Sequence, residues 1–350
     1  MLSKLAAPLA RSSRGMANLA VQNLKLGSAA ALPAMAAGQI SIAMVASPVH
    51  AADTKGGKAG VGGIEGLGRV TAVGSGVSAL QEGDWVVPSL GFGAWCSEAV
   101  LDASSVTKVP SDIPAAYAAT MSFDSATAYR LLKDTGLVKG DWLIQSNPTS
   151  PVGVAVVQLA REMGVHTINV VDSEAPSSDK ALSLLTNLGG DLNCSDLYVH
   201  SHAMISALEG KHVKVAICAV NGEVNTHMAR MLSPGGAMVT YSPAVDSKSF
   251  VLPAEAKVSH AHVDMAAWYK KCSAVEKATM FGDIASAVRE EKLRHFFQEH
   301  DFDDFNWALK QAGDAHSLRK VVLRMDGGDR MAEHDALPAE AYEVFETDYK

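Results

Sequence analysis

A chain of 350 residues, 48% hydrophobic and 19% charged, is long enough for two globular domains with proper cores. Its formal net charge of -8 excludes a protein built to grip nucleic acid, because neutralising phosphates takes a concentrated basic face. The cysteines, Cys96, Cys194, Cys218 and Cys272, are scattered without CxxC spacing, which reads as reduced, mostly buried thiols and excludes a four-cysteine structural zinc site.

In chain order, the first acidic residue is Asp53, and Lys4, Arg11, Arg14 and Lys25 precede it among many alanines and serines. An acid-poor start containing arginine and serine has the composition of a mitochondrial targeting segment, assigned here to residues 1–27. Residues 29–45 are apolar but interrupted by Pro33, Gly38 and Gln39, too short and broken to span a membrane. Residues 39–46 read instead as a strand. Between residues 59 and 110 glycines punctuate short β-branched runs, and residues 69–74 and 84–88 read as strands. Helices are expected over residues 115–121 and 126–133.

From residue 141 strands and helices alternate, the pattern of a parallel sheet covered on both faces. Residues 142–145 form the first strand. Ser150 then suits an N-cap, Pro151 the first helical position, and Gly164 the stop of a helix over residues 152–163. Further strands fall at residues 167–171, 213–220 and 237–241, with a helix through residues 228–232. Helices at residues 285–291 and 304–312 and a strand at 319–324 close the body of the chain. Residues 326–350 form an acidic tail in which Tyr342, Phe345 and Tyr349 alternate with acids; it is either a solvated tail or a segment docking in a partner's basic groove.

Candidate chemistry outside any motif is sparse. His200/His202 and His260/His262 have a spacing that puts both rings on one face of a strand, but no third ligand accompanies either pair, so no metal is assigned. Cys96 has no flanking base to activate it and reads as a buried thiol. Tyr129 and Tyr241 read as packed aromatics. His50 is a candidate acid, although a histidine without a partner is poorly equipped for that work.

Several consecutive motifs carry a resemblance: Gly62-Gly63-Ile64-Glu65-Gly66, Gly83-Asp84-Trp85-Val86-Val87-Pro88, Gly91-Phe92-Gly93-Ala94-Trp95, Thr127-Ala128-Tyr129-Arg130, Thr167-Ile168-Asn169-Val170-Val171 and Thr240-Tyr241. Together they resemble the mitochondrial 2-enoyl thioester reductases, a zinc-free branch of the medium-chain dehydrogenase/reductases. The resemblance implies an α/β fold with a GroES-like β domain (residues 28–118 and 296–325) and a Rossmann-like, doubly wound parallel-sheet domain (residues 119–295). It also implies that the loop at Gly91–Trp95 lines an acyl site.

The resemblance further implies a tyrosine just upstream of Gly62, whereas no tyrosine precedes Tyr117. Pro151 stands where the family has the first glycine of SGVG, removing an amide donor from the phosphate site. Asp172 replaces an arginine and disfavours the 2′-phosphate of NADPH, while a carboxylate there suits the ribose hydroxyls of NADH. Val220-Asn221-Gly222 and Ser242-Pro243 depart from glycine-rich family segments.

The expectation drawn from these departures is a catalytically impaired reductase-like protein, retained as an accessory subunit of a mitochondrial assembly, with no catalytic residue and no cofactor. Residual nucleotide contacts would be Ser150, Val152, Gly153, Asp172 and Tyr241, with NADH the cofactor if there is one. The alternatives are an active NADH-dependent reductase of 2-enoyl thioesters or quinone-like enones, and an acyl-thioester binding module without redox chemistry. The resemblance also leaves room for a homodimer joined through the cofactor-domain sheet. A mitochondrial location, in the matrix or on the matrix-facing side of the inner membrane, accompanies all of these readings.

Overall fold

A computed structural model of the chain describes residues 19–22, 25–28, 31–50, 53, 61–175, 178–242, 245, 250–255, 257–313 and 318–325. The targeting-like start up to residue 18, the segment 54–60, Pro243 and the acidic tail lie outside the described residues. Two short strands, β1 (Leu19–Gln22) and β2 (Lys25–Ser28), pair antiparallel.

The β-rich part follows with β3 (Gln39–Pro48), β4 (Leu67–Val73), β5 (Trp85–Pro88), β6 (Glu98–Asp102) and β7 (Val106–Lys108). Two short helices, α1 (Ala115–Ala119) and α2 (Ala126–Lys133), flank a π-helical turn at Met121–Ser125, so the first helix ends two residues before its expected end at residue 121. Then come β8 (Trp142–Ser146), α3 (Pro151–Met163), β9 (His166–Val171), α4 (Ser178–Asn187), β10 (Leu192–Ser195) and α5 (His202–Ala207). The chain continues through β11 (Val213–Cys218), α6 (Glu223–Met231), β12 (Ala237–Thr240) and β13 (Ser259–His262). It ends with α7 (Met265–Lys271), α8 (Ala274–Arg289), β14 (Phe297–Asp301), α9 (Phe305–Ala312) and β15 (Lys320–Arg324).

Two larger sheets result. One holds six strands in the order β10-β9-β8-β11-β12-β13, every neighbouring pair parallel. Its inner strands β8, β9, β11 and β12 are mostly buried because both faces are covered, while the edge strand β13 is exposed. One face packs Leu143, Val215, Ile217 and Val239 against α2, α3 and α8. The other packs Ile144, Ile168, Ala216 and Met238 against Met204 of α5 and Met228 of α6. This is the doubly wound arrangement, whose ligand crevice lies beyond the carboxyl ends of the strands. The seven-stranded second sheet runs β14-β15-β3-β4-β5-β7, with β6 added against β3. The last described strands therefore return to the sheet that β3 begins: β15 lies antiparallel to β3, bringing Val322 beside Pro48.

Local chemistry explains the elements that frame the crevice. Helix α3 starts where Ser150 caps it, its Oγ accepting from Gly153 N at 3.1 Å, and stops at Gly164 in a left-handed conformation (φ 68°). The long helix α8 begins eleven residues before its expected start (274 against 285), because Ser273 and Glu276 form a reciprocal capping box. Gly63 adopts φ 93°, and a Cβ there would lie 2.7 Å from the Trp95 ring, so only glycine fits this turn.

Candidate active site

One half of the candidate site is built on the carboxyl ends of β8, β9 and β12. Ser150 Oγ donates to Asn147 O at 3.0 Å while capping α3, and Ser150 lies beside Tyr241, which follows β12. Burial pushes that phenol up to about 12, so it stays protonated. Gly153 sits so close to the loop that a Cβ would lie 2.6 Å from Pro148 Cα. Among the first amides of α3, Pro151 has no N–H and that of Gly153 serves the cap, which leaves Val152 N–H for an anion. Asp172 follows β9, exposed, with Oδ1 accepting from Glu174 N at 2.9 Å. Of the sequence-derived nucleotide candidates, Ser150, Val152, Gly153 and Tyr241 therefore converge, and Asp172 stands at the next strand end.

Behind this half lies a buried charged cluster where β3, the turn before β4, the π turn and β15 meet. His50 Nε2 is 2.9 Å from Glu65 Oε1. The other carboxylate oxygen of Glu65 accepts from Ser122 Oγ at 2.6 Å and Phe123 N at 2.8 Å. Lys320 Nζ lies 2.9 Å from His50 Nδ1 and 3.0 Å from Asp124 Oδ2. His50, Glu65, Asp124 and Lys320 are all buried. Burial alone would raise the Asp124 carboxyl, but Lys320 and His50 hold it below the usual range. Asp53, which accepts from His50 N at 3.1 Å, is shifted the other way, raised by burial.

The π turn concentrates these contacts, since Ser122, Phe123, Asp124 and Ser125 each present a polar group inward, and extra helical residues of this kind gather at functional sites. Ser125 Oγ meets His295 Nε2 at 3.0 Å, and Tyr269 OH donates to Ser122 O at 2.7 Å. His50, Glu65 and Asp124 could in principle chelate a metal ion, but the Lys320 ammonium already stands among them.

His50 thus corrects the sequence-based expectation: it has partners on both ring nitrogens. Glu65, Asp124 and Lys320 carried no site signal in the sequence. The available hints were charged residues inside buried stretches, Lys320 opening Val321-Val322-Leu323 and Asp124 within an apolar helical run.

Other candidates fall elsewhere. His200 lies in a turn and His202 opens α5, so this pair does not share a strand face as its spacing suggested; His200 packs instead on His227, ring centroids 4.4 Å apart. His260 and His262 do lie on β13, both contacting Thr240 Oγ1, at 3.2 and 2.9 Å. Tyr129 OH donates to Asp283 at 2.7 Å, an architectural contact. Cys96 is buried, which pushes its thiol up to about 12 and leaves it unreactive. In the Gly91–Trp95 loop, expected to line an acyl site, Trp95 is fully buried and packs edge-on against Phe305 at 5.0 Å. Among the described residues no helix is long and apolar enough to cross a membrane.

Comparison with known proteins matches residues 36–126 to the alcohol dehydrogenase GroES-like domain family. In sequence the chain is similar to a mitochondrial enoyl-[acyl-carrier-protein] reductase of Dictyostelium discoideum, 36% identical over 275 residues, covering 75% of this chain and 77% of the relative. In structure it is similar to the mitochondrial 2-enoyl thioester reductase Etr1p/Etr2p heterodimer of Candida tropicalis, with a TM-score of 0.78 and 22% identity over 89% of this chain and 100% of that one. It is likewise similar to the Etr1p/NADP/crotonyl-CoA complex, with a TM-score of 0.76 and 23% identity over 88% of this chain and 98% of that one.

Proposed function

This chain belongs to the mitochondrial enoyl-[acyl-carrier-protein] reductase family, and on that footing we propose that it reduces 2-enoyl thioesters in mitochondria with NADH rather than NADPH. The observation that carries the reading is the convergence of Ser150, Val152, Gly153 and Tyr241 at the head of α3, with Asp172 at the end of the adjoining strand β9.

The residues fit a dinucleotide in reduced form. Gly153 is buried and lets α3 approach the Asn147–Pro148 loop, where a side chain could not stand, and Val152 N–H with the α3 dipole favours a pyrophosphate. Asp172 has a second carboxylate oxygen to accept from ribose hydroxyls, and its charge opposes a 2′-phosphate. Bound there, the nicotinamide supplies a hydride to the β-carbon of the enoyl group. Tyr241, beside Ser150, walls that end of the crevice.

A second reading is favoured by Pro151 and by the lack of any tyrosine before Tyr117: a reductase-like protein of impaired chemistry, kept as an accessory subunit of a mitochondrial assembly. One experiment separates the two. Purified full-length protein is titrated with NADH by fluorescence and then given crotonyl-CoA. Saturable binding and NADH oxidation support the reductase. No binding at millimolar NADH, together with migration of the native protein in a large complex, would establish the second reading instead.

A further inference from the structure

We infer that the small cavity between the seven-stranded sheet and helices α7 and α8 is a binding site for a short aliphatic carboxylate, held by Lys277 and Thr107. The inference stands apart from the reductase reading, since no step of it needs a nucleotide.

The walls come from two layers of the molecule. Val87 of β5 and Thr107 of β7 are register partners, so their side chains share one face of the seven-stranded sheet, and both line the cavity. Ser122 of the π turn closes one side, and Tyr269 of α7 with Lys277 and Phe281 of α8 close the other. Phe281 belongs to the core that packs on the six-stranded sheet, so a ligand here touches both halves of the molecule. Junctions of this kind are where small-molecule sites tend to form.

The charge of the cavity is one-sided. Among the described residues Lys277 is the only charged side chain lining it. Its ammonium lies 5.7 Å from the centroid of the Tyr269 ring, another wall of the same cavity, and makes no ion pair among the described residues. The neighbouring Glu276 is committed to the capping box with Ser273. Behind Ser122, the Glu65 carboxylate is matched by His50, which in turn meets Lys320. Burial raises the Tyr269 phenol well above its ordinary value, so that wall stays uncharged.

The free donors set the chemistry of the ligand. Ser122 Oγ is taken by Glu65, Tyr269 OH by Ser122 O, and Ser89 Oγ by Ser105 O. That leaves the Lys277 ammonium and the Thr107 hydroxyl, which has no hydrogen-bond partner among the described residues. Two donors, one of them charged, match the two oxygens of a carboxylate. Val87, Leu90 and Phe281 offer apolar contact to a short alkyl stem. The volume of about 40 Å³ is roughly three times what one water needs, which suits a carboxylate with its first carbons rather than an aromatic ring.

The test uses the full chain without nucleotide. Binding of 13C-labelled butyrate is followed by NMR, with butyramide as the neutral isostere. Butyrate should bind saturably at about millimolar concentration, and butyramide at least about tenfold more weakly. Lys277→Met should erase that preference, Lys277→Arg should keep most of it, and Thr107→Val should weaken butyrate about threefold to tenfold. Thermal melts check that the variants fold, and the wild-type comparison of butyrate with butyramide decides the matter if one does not. Equal binding of the two, no saturable butyrate binding, or a Lys277→Met affinity within about twofold of wild type would overturn the inference. Displacement of butyrate by inorganic phosphate at equal concentration would do the same. Two competitors identify what carries the carboxylate. Displacement by glutaryl-CoA but not by crotonyl-CoA assigns it to an acyl chain on a thioester, and displacement by neither assigns it to a free acid. Displacement by crotonyl-CoA, which has no carboxylate at its acyl end, overturns the inference.

Discussion

His295 is buried beneath the π turn with its Nε2 3.0 Å from Ser125 Oγ, and its own backbone N–H donates to Tyr117 OH at 3.2 Å. Burial pulls the imidazole down to about 4 from an ordinary 6.5, against the opposing pull of Asp124. The folded state therefore keeps His295 neutral over a range in which the unfolded chain takes up a proton. Stability is full above the unfolded value and falls as pH drops from about 6.5 to about 4, by roughly 2–3 kcal/mol. Urea denaturation between pH 7.5 and 4.5 should show the loss, and His295→Gln should flatten it. An unchanged slope in the variant would assign the effect elsewhere. Asp124, whose folded carboxyl is lowered, contributes stability that persists through this window and disappears only at stronger acidity. Asp53, raised by burial, works in the opposite sense.

Glu65 anchors three donors, His50 Nε2, Ser122 Oγ and Phe123 N. Glu65→Ala leaves all three donors unsatisfied and the Lys320 charge less well compensated. The cost should be about 3–5 kcal/mol, read as a lower urea midpoint. Ser122→Ala removes a single donor and should cost about 1 kcal/mol. Equal effects from the two variants would mean that the carboxylate is not the hub of the cluster.

On the proposed reading, Asp172 decides between the two nicotinamide dinucleotides. Its neighbourhood carries Glu174 and Asp196, the latter accepting from Ser173 N at 3.1 Å, so the surroundings of Asp172 are acidic. Asp172→Arg replaces a repelling charge with one that pairs with a 2′-phosphate, and should move the NADPH-to-NADH affinity ratio at least about tenfold toward NADPH. Titrating both dinucleotides against wild type and variant checks it; a ratio that does not move would place the ribose elsewhere.

The fold could be read from the sequence wherever a local signal decided the element. Ser150, Pro151 and Gly164 marked α3 because caps and stops act over single residues. The alternation after residue 141 fixed the parallel sheet. At the π turn, local pattern continued a helix past residue 119, while inward contacts of Ser122 and Asp124 pulled the backbone into a wider turn. The cluster was illegible for a related reason. His50 and Lys320 meet only because β15 returns to lie beside β3, a pairing no local pattern announces. Hence a histidine that looked isolated in the sequence proved to sit between Glu65 and Lys320.

Pro151 sets the remaining test of the nucleotide half. At the first position of α3 it suits the helix, since its fixed φ matches and the N–H it lacks has no intrahelical partner. The same missing N–H is one that an anion at the helix terminus would use. Helix stability and phosphate binding therefore pull in opposite directions at this residue. Pro151→Ala returns the donor at little backbone cost, and Pro151→Gly returns it with about 1 kcal/mol of lost stability. A recovered charge-assisted hydrogen bond is worth about 1.5 kcal/mol, so both variants should bind NADH roughly tenfold more tightly, while only the glycine variant melts appreciably lower. Affinity that rises in neither variant would show that the head of α3 does not face the pyrophosphate, and the convergence of Ser150, Gly153 and Tyr241 would then be a packing arrangement alone.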